Sequence, residues 1–271
     1  MNIIGVDLGT SATKMINYDV SNKNLTNKMI LNEKSFYKAI DTFISTNSIN
    51  LTEIEKFVLT GVGSSKINEK IINGIEIIKI DEFISTATGA LNLSNKKNAI
   101  IVSIGTGTAF IRVQENDIKH LGGTGLGGGT LINLCNRFIN TNSFDEICEL
   151  SSKGDLSHVD LTIQDITTDE IKTLPKDITA ANFGKLSKVA NNSDMVLGVV
   201  NLIFESIGMM SVFVSRNDEI KDIVVVGGLT KIPHIKAVFN KIEKLCDIKF
   251  IIPENAEYAT VIGAVGNFIK E

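Results

Sequence analysis

Two glycine-bearing turns and one glutamate at the start of a helix are the residues of this chain best suited to chemistry. Between residues 99 and 131 an apolar strand runs into the turn Ser103-Ile104-Gly105-Thr106-Gly107-Thr108, and two short strands later a loop follows with glycines at 122, 123, 125, 127, 128 and 129. So much glycine loses backbone entropy on folding, and it is tolerated where φ must be positive or the backbone must come close to a ligand. Such loops can aim successive N–H groups inward, and the second one opens a predicted helix over 128–138, whose N-terminus favours anions. The fitting chemistry is a phosphate cradle for a nucleotide; a hairpin followed by a plain connecting loop would use the same residue types.

A second turn lies at the start of the chain, where Asp7-Leu8-Gly9-Thr10 joins two strands and Lys14 follows on the second. An aspartate ending an apolar strand is a hard oxygen ligand suited to magnesium, directly or through water, or a cap for the turn. Lys14 can reach β- and γ-phosphates as a point charge, or lie solvated on its strand. Glu82 opens a predicted helix immediately after a strand, which aims a carboxylate at a cleft. There it either accepts the proton of an attacking hydroxyl, which is the chemical help phosphoryl transfer needs, or offsets the positive end of the helix dipole.

The elements that must position these residues occur twice. The pattern predicts strands over 2–6, 13–18 and 27–31, a helix over 35–46, a strand over 57–60, helices over 64–72 and 82–93, and a strand over 75–80 between them. Residues 94–98 read as a connector between lobes. At an offset of 96, Val6-Asp7-Leu8-Gly9-Thr10 faces Val102-Ser103-Ile104-Gly105-Thr106. Later echoes are the strands ending at Gly61 and Gly227, the strands at 75–80 and 248–252, and the helices containing Gly89-Ala90 and Gly263-Ala264. The order implies a duplicated α/β unit, 1–95 and 96–271, each beginning with a hairpin meander in place of a βαβ crossover. The second unit carries an insertion over 141–215, which ends in a helix over 194–214 that is apolar on most faces. Nothing else in the sequence looks large enough to cover that helix, so a second subunit is expected to help bury it.

Composition narrows the partners. The 27 lysines and arginines are scattered among 31 acidic residues for a net charge of −4, without the basic stripe that nucleic acid requires. Three cysteines, odd in number and without a C-x-x-C pair, argue against a disulfide framework and against a zinc site. The longest apolar run, over 196–204, is too short to cross a bilayer. The expectation is a soluble cytoplasmic protein without nucleic-acid or membrane partners.

Two phosphate hairpins, one per lobe, resemble the actin, hexokinase and heat-shock chaperone (ASKHA) superfamily, with its ribonuclease H-like lobes and a nucleotide in the cleft. Over nearly its whole length the chain resembles the type II pantothenate kinases, the eukaryotic-like form. The resemblance rests on Asp7-Leu8-Gly9 with Lys14, Asp81-Glu82-Phe83, Gly105-Thr106-Gly107-Thr108, Gly122-Gly123, Gly127-Gly128-Gly129, the run from Asp177 to Gly184, Glu254-Asn255 and Gly263-Ala264. It implies ATP- and magnesium-dependent phosphorylation of pantothenate, the first step of coenzyme A biosynthesis, by a homodimer. Glu82 would be the base. Asp7, Gly9, Thr10, Lys14, Gly105, Thr106, Gly107, Thr108, Gly127, Gly128 and Gly129 would surround the phosphates, with Asp7 toward magnesium and Gly227 and Gly228 near the adenosine. His120 and Gly122 would face the acceptor, and Thr179 and Ala180 would reach the partner subunit's acceptor pocket. Two positions depart from the pattern: Thr10 stands where the family has a second glycine, and His120 where it has an arginine. The second departure keeps two other functions in view, a kinase of another small alcohol, such as a sugar or a pantetheine-like compound, and a non-catalytic sensor of ATP or acyl-CoA.

Overall fold

The computed structural model of the chain describes residues 1–33, 35–115, 117–169, 171 and 175–270. A meander of β1 (Asn2–Leu8), β2 (Thr13–Asp19) and β3 (Asn24–Leu31) starts the first sheet. After α1 (Phe36–Thr46), the strands β4 (Ile54–Thr60), β5 (Ile71–Ile72) and β6 (Ile75–Lys79) complete it in the order β3-β2-β1-β4-β6-β5. Next comes α2 (Glu82–Ser94), and then a second meander of β7 (Ala99–Ile104), β8 (Thr108–Gln114) and β9 (Asp117–Thr124). A helical region follows with α3 (Gly128–Ile139), α4 (Phe144–Ser151), the small pair β10 (Leu161–Thr162) and β11 (Thr179–Ala181), α5 (Ile163–Ile166) between that pair, and the long α6 (Asn192–Arg216). The chain then returns to the second sheet with β12 (Asp222–Val226), α7 (Ile235–Leu245) and β13 (Lys249–Ile251), and ends in α8 (Ala259–Lys270).

The second sheet has the order β13-β12-β7-β8-β9. Without the two-residue β5, both sheets are an antiparallel meander extended by two parallel strands, with β1 in the place of β7. The central strands are buried on both faces and accordingly read as continuous apolar runs, Ile3-Ile4-Gly5-Val6 and Ile100-Ile101-Val102.

The last helix of each half crosses to the other half's sheet. Ala87 and Ala90 of α2 pack with Ile101, Ile111 and Val224 of the second sheet, whereas Val261, Ala264 and Val265 of α8 pack with Ile3, Ile16 and Val58 of the first. The two helices cross at their glycines. A Cβ on Gly89 would lie 1.8 Å from the carbonyl oxygen of Ala259, and one on Gly263 would lie 1.8 Å from that of Ser85. Beside this contact the hydroxyls of Thr86 and Thr260 bond at 2.9 Å. The paired Gly-Ala motifs are therefore a backbone-to-backbone crossing of helices, and α8, though last in the second half, is part of the first sheet's core.

Two expectations are corrected. Residues 64–72 form no α-helix: a 3-10 turn covers Val62–Lys66, and β5 then forms a hairpin with β6. The pattern of Ile67 and Ile72 looks helical because a short chain reversal brings both back onto one core, while Ile71 between them is exposed. The helix predicted over 194–214 needs no second subunit to bury it. Within the chain, α6 lies against α3, α4 and α7 in one apolar cluster with the second sheet. Gly198 admits Val159 and Phe183, Gly208 admits Ile242 and Phe239, and a Cβ would come within 2.7 Å of Val159 at the first and of Ile242 at the second. Among the described residues α6 is the one helix long and apolar enough to cross a membrane, and 67% of its most apolar window is buried inside the fold. Cys135 is buried in the same cluster, and burial pushes its thiol up to about 11. Within the insertion over 141–215, residues 170 and 172–174 lie outside the described residues.

The crossing makes a direct prediction. Gly89→Ala forces a methyl group into a backbone carbonyl, and should lose about 3 kcal/mol or more. Gly125→Ala, with nothing within 4 Å of its would-be Cβ, should unfold close to wild type in urea.

Candidate active site

The first sheet delivers Asp7, Gly61 and Glu82 at the carboxyl ends of adjoining parallel strands, where open α/β sheets bind their ligands. Asp7 is the penultimate residue of β1 and lies opposite Lys14 in the register with β2. Its carboxylate is buried, with the ammonium group of Lys14 at 3.4 Å. Gly61, directly after β4, adopts φ +86, and a Cβ there would lie 2.5 Å from Oδ1 of Asp7, so only glycine lets the chain turn this close to the carboxylate.

Glu82 follows β6 as the first residue of α2. The cap of that helix is its neighbour Asp81, whose side chain accepts the N–H of Ile84 at 3.0 Å. A helix N-terminus by itself favours an ionised glutamate. Here burial, and then the nearby Asp7, push the Glu82 carboxyl above its ordinary value, while Lys14 and a hydrogen bond from the Val62 backbone pull against that shift. Glu82 therefore sits as a half-buried cleft carboxylate beside Asp7 and Lys14, with the helix capped by another residue. A carboxylate held above its usual range is suited to accepting a proton.

The second sheet brings the other glycines together. The backbone N–H groups of Gly128 and Gly129 donate to the carbonyls of Gly105 and Thr106 at 2.8 and 2.9 Å, and Gly105 donates to Gly107 at 2.9 Å. Gly127 packs on Gly107, and Gly227, at φ +104, on the carbonyl of Ile104. These contacts spend three of the expected phosphate-facing amides inside the cradle. The amides of Thr10, Ser11, Thr106 and Gly107 have no hydrogen-bond acceptor among the described residues and remain for a ligand. The hydroxyls of Ser11 and Thr106 bond to each other at 2.7 Å, so the two hairpins meet across the cleft. Thr108 uses its hydroxyl to hold the carbonyl of Leu126 at 2.8 Å, which pins the glycine loop. Gly9 is required, because a Cβ would meet the carbonyl of Ala12 at 2.8 Å. Thr10 is not among the residues of positive φ, so its backbone has no need of the family's second glycine. Gly228 has open space at its Cβ position.

His120 lies on the cleft side of β9 and stacks on Phe83, the residue after Glu82, with ring centroids 4.3 Å apart. Leu121 is an extra residue in the pairing of β8 with β9, and Gly122 beside it takes φ +134. His120 faces α2 by strand alternation: it lies two residues after Ile118 and opposite Ile111, both packed with Ala87 and Ala90 of that helix. Thr179 and Ala180 lie on β11 in the inserted region, where the Thr179 hydroxyl donates to Glu205 at 2.7 Å and Ala180 is exposed. The sequence reading missed Ser11, Gly61, Phe83 and Glu205. Gly61 left a signal, as the glycine ending a buried strand in both halves, and Phe83 did as part of the Asp81-Glu82-Phe83 motif.

This is the architecture of the two-lobed ASKHA phosphotransferases, with the cleft between duplicated sheets. A ROK family glucokinase from Streptomyces griseus, solved with glucose and AMPPNP, matches 98% of this chain and 99% of its own at TM-score 0.63 and 11% identity. Component A of the (R)-2-hydroxyglutaryl-CoA dehydratase of Acidaminococcus fermentans matches at TM-score 0.68 and 15% identity, over 97% of this chain and 96% of its own. The sequence narrows the class. The pattern of the Fumble family matches residues 95–247, and a type II pantothenate kinase of Bacillus cereus is 30% identical over 83% of this chain and 82% of its own length. The chain belongs to the type II pantothenate kinase family.

The raised carboxyl of Glu82 sets the expected pH behaviour. A group that holds its proton to higher pH in the folded chain lowers stability as pH rises between its unfolded and folded values. Glu82→Gln should therefore melt above wild type at neutral pH, and the gap should close as pH falls below the ordinary glutamate range. Its turnover should drop by about 10²-fold or more. In Lys14→Met the acid limb of kcat/KM should move to higher pH, because the cation that favours ionised Glu82 is gone.

Proposed function

We propose that this chain transfers the γ-phosphoryl group of ATP to the primary hydroxyl of pantothenate, giving 4′-phosphopantothenate at the first step of coenzyme A biosynthesis. The observation that carries the reading is Glu82, a carboxylate with a raised proton affinity, held beside Asp7 and Lys14 where the two hairpins meet. A protein that only sensed nucleotide would have no use for such a base. In this reading Glu82 orients the acceptor hydroxyl and takes its proton, Lys14 and the free amides of the two hairpins bind phosphate oxygens, and the Gly227 turn borders the adenosine.

Magnesium fits the residues present. Among the described residues no three His, Cys, Asp or Glu side chains gather into a metal cluster. A single buried carboxylate at Asp7 matches the habit of magnesium, which keeps its waters and relies on substrate phosphates. Bound there, the ion would neutralise phosphate charge. We infer a homodimer as well: with most of α6 buried internally, the exposed Phe213 on that helix and Phe138 on α3 are apolar surface available to a second copy. Thr179 and Ala180 would then serve the partner subunit's pocket. Light scattering at micromolar protein should give twice the chain mass, and a monomer would refute this part. Internal burial of α6 and an inert, buried Cys135 fit a cytoplasmic enzyme.

ADP release measured across a panel of hydroxyl acceptors tests the whole reading. Pantothenate should be the best substrate, and preference for a sugar or for a pantetheine-like alcohol would replace it. Arginine offers a planar fork of donors and a fixed charge that imidazole does not match. His120→Arg should therefore lower the KM for pantothenate, and an unchanged KM would make His120 a stacking partner of Phe83 only.

A further inference from the structure

The inserted region is fastened to α6 by two carboxylates that the reaction itself does not use. Asp160 is 1% exposed; its Oδ1 accepts the backbone N–H of Phe183 at 2.8 Å and its Oδ2 accepts the side-chain amide of Asn201 at 2.8 Å. Phe183 sits at φ +57, a conformation uncommon for a bulky residue, and this bond helps to hold it there. One turn along α6 from Asn201, Glu205 accepts the Thr179 hydroxyl on one oxygen at 2.7 Å and the Asn182 amide on the other at 2.9 Å. Residues 179, 182 and 183 are thus clamped to one helix face. Between them Ala180 is out of register with β10 and exposed.

The polarity of this clamp carries information. A carboxylate only accepts hydrogen bonds, so the single hydroxyl hydrogen of Thr179 is committed to Glu205. What the threonine can still offer is its oxygen lone pairs. A ligand group meeting Thr179 must then be a donor, an N–H or an O–H, and a group that only accepts would face an unfavourable contact.

We propose that Glu205 is a specificity-determining positioning residue, which fixes Thr179 as a hydrogen-bond acceptor and so selects phosphoryl acceptors that present an N–H or O–H donor at that point. The inference rests on the reading above that Thr179 serves the acceptor pocket. Pantothenate has two such donors besides the reacting hydroxyl: its amide N–H and its secondary hydroxyl.

The test compares pantothenate with two analogues, one methylated on the amide nitrogen and one lacking the secondary hydroxyl, in wild type, Thr179→Val, Glu205→Met and Glu205→Gln. Wild type should reject one analogue by about 10- to 100-fold in kcat/KM, the scale of leaving one polar group unpaired. Thr179→Val and Glu205→Met should each erase most of that discrimination, raise the KM for pantothenate and leave the KM for ATP within twofold. Their double variant should be no worse than the poorer single, as expected for residues acting through one contact. Glu205→Gln retains one oxygen for Thr179, and Asn182 can turn its amide to match, so it should recover most of the discrimination. Discrimination unchanged in Thr179→Val, which alters no volume and should fold, overturns the proposal. Glu205→Met shifting both KM values and the melting temperature together, with the analogue ratio intact, also overturns it and leaves Glu205 a structural anchor. Wild type that phosphorylates no pantothenate refutes the functional reading and this inference with it, whereas active wild type with an unaffected Glu205→Met refutes this inference alone.

Discussion

Everything the cleft does depends on the crossing of α2 and α8 at Gly89 and Gly263. Each glycine lies against a carbonyl one turn upstream on the other helix, and the hydroxyls of Thr86 and Thr260 bond between them. The arrangement relates the two halves by an approximate twofold axis. Because each helix also packs on the opposite half's sheet, neither sheet has a complete core without the other half. Backbones this close leave little room for sliding, so the crossing sets where the start of α2 falls. Glu82 is seven residues, about two turns, from Gly89 along the same helix. A shift at the crossing would therefore move the carboxylate away from Asp7 and Lys14.

The electrostatics of the site follow from that placement. Two carboxylates and one ammonium group share a partly dry corner, so the charges cannot all be satisfied at once. Lys14 pairs with Asp7 at 3.4 Å, and Glu82 is left with burial and a like charge as its dominant influences. A like charge nearby disfavours ionisation, and so does loss of water. The result is strain in protonation instead of strain in geometry: the helix is well capped by Asp81 and its first-turn residue is electrostatically uncomfortable. Such a pattern is common where a group must exchange protons with a ligand.

The duplicated scaffold was largely legible in the sequence because its strongest signals are local. Buried strands written as unbroken aliphatic runs, glycines at their ends and meanders in both halves all report their structure through residues close in the chain. The misread stretch, 64–72, is one where a short hairpin and a helix both place Ile67 and Ile72 on a core. Coverage of α6 was misjudged for a different reason: Gly198 and Gly208 are notches that admit Val159, Phe183, Phe239 and Ile242, side chains from other elements that no spacing along the helix announces. In the site, Asp7, Lys14 and Glu82 could be named from their positions at the ends of elements. Their mutual influence could not, since it depends on distances between β1, β2 and α2. Ser11, Phe83 and Glu205 matter through partners far along the chain, Thr106, His120 and Thr179, and no local spacing announces such pairs.

The symmetry itself separates scaffold from chemistry. Thr13 and Thr108 occupy matching places, each opening the second strand of its meander, and each donates its hydroxyl to a carbonyl just after the third strand, Glu33 and Leu126. Gly61 and Gly227 likewise end matching strands at positive φ. Features kept in both halves are those that any copy of this unit needs in order to fold. The differences fall elsewhere. Opposite Asp7 and Lys14 in the β1–β2 register, the second half has Ser103 and Ala109 in the β7–β8 register. Where Glu82 lies seven residues before Gly89, Ala256 lies seven before Gly263. All three charges of the corner are thus present in one half and absent from the other, although the backbone that would carry them is in both. Folding does not require them, since the second half builds the same turns without them. The demand that retains a buried aspartate, its lysine and a destabilised glutamate in the first half must come from what binds between the lobes.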